Sequence, residues 1–427
     1  MSTEPARLTT LDSGLRVVTE AMPSVRSIAL GMWIRAGSRD EGAEQAGISH
    51  FLEHLLFKGT ERFSSREIDE AFDAMGAEVN AGTGKETTSV YSRFLDGHLE
   101  RAFDVLQDMV LRPAYPDVDS EREVVIEEIA MYEDEPSDKV HDVLAAAVFG
   151  QHPLGRPIIG RAEVISSVPV PQISEWHDAR YVPGNMVVAA AGNLDHDAIV
   201  ELVDSTLPVT GAPSPVAAGA PNGDAPVLRF HAKETEQYHI CLGAQGMPRA
   251  DERRFALRVL DTILGGSTSS RLFQEVREKH GLAYSVYSYA NHYIDSGQVG
   301  LYVGTRPDRV ADAMRVIGAE LQRLQRDGLT DDELELAREN VKGRTVLSME
   351  STLTRMNRLG SSLLMGVPLL TVDEVLAAFD AVTLDDLVDL ARDLWVPERL
   401  SAAGVGSDEA VFRAALEAVS PALAEAA

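Results

Sequence analysis

The sequence predicts an α+β protein of two duplicated domains, each a largely antiparallel sheet packed with long helices. Three observations carry that expectation. The chain has 427 residues, more than one compact core accommodates. A compositional break lies near its middle, and the same order of patterns runs on either side of it. The break is GAPSPVAAGAPNGDAP, residues 211–226, with four prolines and no periodicity, so it reads as an extended linker. The expected domains are 1–210 and 227–427.

The first half opens its repeat with SIALGMWIRAGSRDE (Ser27–Glu41), a strand running into a glycine-containing turn, and the second half does the same with YHICLGAQGMPRAD (Tyr238–Asp251). Helical stretches follow both. An alternating strand, a turn and an amphipathic helix then occupy Thr87–Val110, and Gln298–Leu324 repeats that order. Acidic, capped starts lead into helices at Asp117–Ile129 and at Gly328–Val341. Strand-turn-helix is a common order, so the parallel rests on three successive matches rather than on any one of them.

Composition narrows the class. Hydrophobic content of 44% and charged content of 25% are those of a folded soluble protein. A net charge of −28 repels phosphate backbones, which argues against nucleic acid as a partner. The single cysteine, Cys241, fits a reducing compartment, and the opening MSTEPARLTTLDSGLRVVTE lacks the apolar run of a secretory leader. The expected location is cytoplasmic. Apolar stretches such as Met186–Gly192 fall far short of the roughly 20 residues that cross a bilayer.

The chemistry concentrates in GISHFLEHLLFKGT. Ile48, Phe51, Leu52, Leu55 and Leu56 have helical spacing, and on such a helix His50, Glu53 and His54 project from one sector. Two imidazoles one turn apart are half of a zinc site, and a carboxylate between them is placed to take a proton from water at the metal. The order H-x-x-E-H is the inverted zinc-peptidase motif. Two surface histidines beside an acid would give the same five residues, so a third ligand decides. The helix SEREVVIEEIAMY (Ser120–Tyr132) sets Glu121 and Glu128 inside a stripe with Val124, Val125, Ile129 and Tyr132, and leaves Glu123 and Glu127 on the other side. Carboxylates in an apolar stripe need a cation. Glu128 is the expected third ligand and Glu121 the acid that orients a ligating histidine, although periodicity alone leaves the order of the two open.

His50–His54 followed by Glu128 within EREVVIEEIAMYEDEP resembles the pitrilysin and insulinase family of zinc peptidases, in a bacterial branch similar to the beta subunit of the mitochondrial processing peptidase. The likeness extends over GLRVVTE, GAEVNAGTGKETTSVY, HPLGRPIIG and SSRLFQEVREKHGLAYSVYS. It implies that His50, His54 and Glu128 bind Zn2+, that Glu53 is the general base, and that Glu121 supports the site. It further implies that Arg277 and Tyr284 touch substrate near the scissile carbonyl, reaching the zinc of a partner protomer. Asn80 and Ala81 match the edge strand to which an extended peptide adds.

The family's architecture implies a homodimer, or a heterodimer with a zinc-free homologue, enclosing short or unfolded peptides. The acidity of the chain would favour basic ones. The expected reaction is zinc-dependent endopeptidic hydrolysis, and the alternative is a non-catalytic peptide-binding or structural subunit. The run Gly265–Thr268 lacks the lysine of a phosphate loop and is expected to turn the chain between helices. His141 and His152 lack ligand spacing.

Overall fold

The computed structural model describes residues 6–207, 219–222 and 226–425. Most of the expected linker, 211–218 and 223–225, lies outside the described residues. The chain forms two compact units. One comprises Met1–Ile129, Pro157–Ala218 and Leu347–Thr371, and the other Ala130–Arg156, Gly219–Val346 and Val372–Ala427.

In the first unit the strands are β1 (Arg7–Thr10), β2 (Arg16–Ala21), β3 (Ser27–Ile34), β4 (Glu78–Thr83), β5 (Thr88–Leu95) and β6 (Met186–Gly192). They form one sheet in the order β1-β2-β6-β3-β5-β4. In the second, β7 (Leu228–Ala232), β8 (Tyr238–Gly246), β9 (Ala283–His292), β10 (Gly297–Thr305) and β11 (Ser401–Gly406) take the order β7-β11-β8-β10-β9. Setting β1 aside, the two orders are the same, and each contains one parallel pair at the same place, β2 with β6 and β7 with β11. The other pairs are antiparallel. The duplication expected from the pattern order is thus repeated in topology, and both sheets are mixed.

The expected boundary needs correction. Cutting at 210 and 227 separates the two sheets, but each sheet is covered on one face by a helix from the other half of the sequence. β3 explains why. Its alternate residues Ile28, Leu30, Met32 and Ile34 enter the main core with Phe51, Leu52 and Phe103, while Ala29 and Trp33 point the other way, against Met356, Leu359 and Leu364. A strand apolar on both faces must be buried on both. The helix Thr352–Leu364 supplies the cover, packed so tightly that a Cβ at Gly360 would overlap the indole of Trp33. In the second unit, Ile240, Leu242, Val299 and Leu301 fill the main core, and Cys241, Tyr302 and Ala403 meet Val140, Leu144 and Val148 of the helix Pro136–Phe149. No helix among the described residues is long and apolar enough to cross a membrane.

The second unit buries an acid in its core. Asp261, on the helix Arg254–Leu264, is 5% exposed and accepts a 2.6 Å hydrogen bond from the Ser288 hydroxyl of β9. Burial pushes its carboxyl up from 3.8 to about 6, against the pull of Ser288 and Arg258. The folded protein therefore holds this proton more tightly than the unfolded chain does, so ionised Asp261 costs stability above about pH 6 and nothing below about pH 4. A gap of roughly two units corresponds to about 3 kcal/mol. Asp261→Asn, which can still accept from Ser288, should raise the melting temperature at pH 8 and leave it unchanged at pH 4. Equal melting of variant and parent at both pH values would show that Asp261 ionises without penalty.

Candidate metal centre

The helix Ile48–Leu55 is set by its start. Gly47 adopts φ 100°, a left-handed conformation open to glycine, and a side chain there would meet the Ile159 carbonyl. Its first amides are held by a carboxylate: buried Glu41 accepts from the Gly47 and Ser49 amides at 2.8 and 2.9 Å, placing negative charge where the helix dipole favours it. Ile48, Phe51, Leu52 and Leu55 are fully buried, and this anchored face turns His50, Glu53 and His54 to the opposite side.

The helix Val118–Asp134 brings the remaining acids. Val118, Glu121, Val125 and Ile129 are its buried positions. Arg122 ties it down, its guanidinium donating to the carbonyls of Ile165 and Val168 and lying 5.3 Å from the Phe51 ring. The expected stripe was too wide. Val124 is 50% and Tyr132 41% exposed, and the Glu128 side chain sits at the rim, 40% exposed. Glu123 and Glu127 are exposed.

Ligand atoms of His50, His54 and Glu128 all lie within 4.8 Å of one another, and among the described residues these three form the candidate metal cluster. Glu128 Oε2 is 3.3 Å from His54 Nε2 and 3.7 Å from His50 Nε2. Tetrahedral zinc with bonds of about 2.0–2.1 Å spaces its ligands about 3.3–3.4 Å apart, so the cluster fits that ion. Two imidazoles and one carboxylate also leave a fourth position for water or substrate.

The two histidines are held differently. His54 Nδ1 lies 2.8 Å from Glu121 Oε1, and a proton donated along that contact frees Nε2 as a ligand. His50 Nδ1 is buried and, among the described residues, has no hydrogen-bond partner. Burial, aided by His54, lowers the His50 imidazole to about 4, so it is neutral and able to ligate at pH 7. Burial also pushes the Glu53 carboxyl above its usual range, with a 2.5 Å hydrogen bond from the Thr83 hydroxyl pulling the other way.

Sequence reasoning missed Thr83, Glu41 and Lys58. Thr83 ends β4, the edge strand that also carries Asn80 and Ala81, paired with Tyr91 and Val90 of β5. Asn80 Oδ1 accepts from the Ala81 amide at 2.8 Å. Lys58 Nζ lies 2.6 Å from Glu121 Oε2. Arg277 and Tyr284, both in the second unit, meet each other: the guanidinium donates to the Tyr284 carbonyl at 3.2 Å and sits 4.4 Å from its ring, while Tyr284 is 79% exposed. His141 pairs with the hydroxyls of Tyr287 and Tyr289, His152 accepts from the Leu154 amide, and Gly265–Thr268 turns the chain after the helix Arg254–Leu264.

Residues 16–162 match the family described as insulinase, peptidase family M16, and residues 167–341 match the description peptidase M16 inactive domain. A protein of Streptomyces coelicolor named as an uncharacterized zinc protease is 46% identical over 91% of this chain and 87% of its own length. The chain belongs to the M16 family. A Bacillus subtilis protein, also named as an uncharacterized zinc protease, is 43% identical over 91% of this chain and 95% of its own. The crystal structure of a peptidase M16 inactive domain from Pseudomonas fluorescens covers 94% of this chain and 98% of its own, with a TM-score of 0.88 at 21% identity; it bears out the two-domain α+β fold. Residues 227–427 contain no H-x-x-E-H. The second unit has Asp261 bonded to Ser288 on its own edge strand, an acid and hydroxyl arranged like Glu53 and Thr83, without the histidines.

Proposed function

We propose that this M16 protein is a zinc-dependent endopeptidase that hydrolyses short or unfolded peptides, with Glu53 as general base. The observation that carries the reading is the convergence of His50, His54 and Glu128, with Glu53 one residue before a ligand and held by Thr83. Zinc held by the three would polarise the scissile carbonyl and acidify a water. Glu53 accepts a proton from the attacking water and returns it to the leaving amine, starting and ending the cycle ionised. The hydrogen bond from Thr83 to Oε2 leaves Oε1 for that transfer. The upward shift of the Glu53 carboxyl brings it nearer the working pH, where such exchange is most efficient.

The substrate's main chain adds to the open edge of β4 beside Asn80 and Ala81, which reads sequence loosely. Arg277 and Tyr284 hold the peptide or the developing oxyanion, reaching the zinc of a partner protomer in a homodimer. The acidity of the chain, −28 overall, favours basic peptides by long-range attraction.

Purified protein should carry one zinc per chain and cleave an unfolded basic peptide. A chelator should stop cleavage and added zinc restore it, and light scattering should read two copies. Peptide binding without cleavage by the zinc-loaded protein would favour the non-catalytic subunit, and a monomer would remove the homodimer.

A further inference from the structure

We infer that Lys58 is a positioning residue for the metal, gripping the second oxygen of Glu121 so that Glu121 holds His54 with Nε2 turned to the ion; this rests on the zinc reading above. His54 and Lys58 stand four residues apart. The chain beyond Leu55 continues as a turn in which the Lys58 amide donates to the Leu55 carbonyl at 3.1 Å, so both side chains leave on the same side. One carboxylate spans them, with Oε1 2.8 Å from His54 Nδ1 and Oε2 2.6 Å from Lys58 Nζ.

Burial gives the arrangement its weight. Glu121 is 5% exposed, and an ionised carboxylate so placed needs compensation at its oxygens. As a ligand through Nε2, His54 is neutral and gives Glu121 one hydrogen bond and no charge, whereas Lys58 supplies the charge. The second histidine offers no substitute, because among the described residues His50 Nδ1 has no hydrogen-bond partner. Alignment of the ligand set by hydrogen bonding therefore runs through Lys58, Glu121 and His54 in series.

Plain electrostatics predicts the opposite sign. A lysine near a divalent cation repels it, so removing the lysine should tighten metal binding. If Lys58 acts through Glu121, removing it should loosen binding. Lys58 is part-exposed and follows the helix end, so its substitution leaves the core untouched.

The test is zinc affinity of the full chain, by competition with a chromophoric chelator, with calorimetry of the metal-free protein alongside. Lys58→Met should weaken zinc binding roughly 10–100-fold, the usual effect of losing an outer partner of a metal ligand, in a metal-free protein that still folds but melts lower, because buried Glu121 has lost its counter-charge. Lys58→Arg should recover most of the loss. Glu121→Gln should weaken binding comparably, and Lys58→Met added to it should cost little more, because the lysine has then lost the group through which it acts. Unchanged or tighter binding by Lys58→Met overturns the inference, as do fully additive losses or an equal drop in metal-free melting for Met and Arg. A parent protein that binds no stoichiometric zinc removes the zinc reading and this inference together. A zinc-loaded parent with an unaffected Lys58→Met removes the role of Lys58 alone.

Discussion

Glu53→Gln should retain zinc and lose about 10³-fold in kcat, within the range that a positioned general base contributes. Glutamine matches glutamate in length, and its amide oxygen still accepts from Thr83, whose hydroxyl lies 2.5 Å from Oε2. It cannot accept a proton. The loss should therefore fall on kcat with KM nearly unchanged, because no contact with the bound peptide is removed. Zinc content should match the parent, since the ligating set is His50, His54 and Glu128. Cleavage at more than about a tenth of the parent rate would be far less than general-base loss predicts and would place the proton acceptor elsewhere. The same variant probes the assembly. Mixed with Tyr284→Phe, it should regain activity if Tyr284 serves the zinc of its partner, because one mixed pair then joins an intact Glu53 to an intact Tyr284. Recovery absent after subunit exchange would assign Tyr284 to its own chain's zinc.

What was legible in the sequence was local. The spacing of Phe51, Leu52 and Leu55 follows from one helix meeting one core, and the same helical period put His50, Glu53 and His54 in one sector of a helix that the structure has at Ile48–Leu55. The stripe on the Glu128 helix was legible in part. Periodicity found Val125 and Ile129, but it cannot say where the covering element ends, so it enclosed Val124 and Tyr132, which are exposed. Thr83, Lys58 and Glu41 carry no periodic signature. Their value lies in which carboxylate or amide the fold brings to them: Glu53 is 30 positions from Thr83, and Glu121 is 63 from Lys58. Helix exchange was illegible for a related reason. Val140, Leu144 and Val148 form the same apolar face whichever sheet they cover; the pattern of β3, apolar in both directions, was the available sign that its sheet needs a second cover.

The largest stability loss is expected at Glu20→Ala, far from the candidate metal centre. Glu20 on β2 is 7% exposed and pairs with Arg355, 5% exposed, and with Arg358 at 3.2 Å, both on the covering helix Thr352–Leu364. Removing the carboxylate strands the Arg355 guanidinium in the interior, where its remaining hydrogen bond to the Met349 carbonyl, 2.5 Å away, brings no opposite charge. Breaking a buried pair from one side costs about 3–5 kcal/mol, whereas replacing both members with apolar groups is often near neutral. Glu20→Leu with Arg355→Met should therefore be much more stable than Glu20→Ala, despite carrying one more substitution. The transition should report on Trp33, 8% exposed against Met356, whose sulfur lies 3.4 Å from the indole nitrogen. As the covering helix loosens, the indole meets water and its emission shifts red. A loss below about 1 kcal/mol, the scale of an exposed pair, would mean that water reaches this pair and that apolar contacts of Met356 and Leu359 alone hold the helix to the sheet.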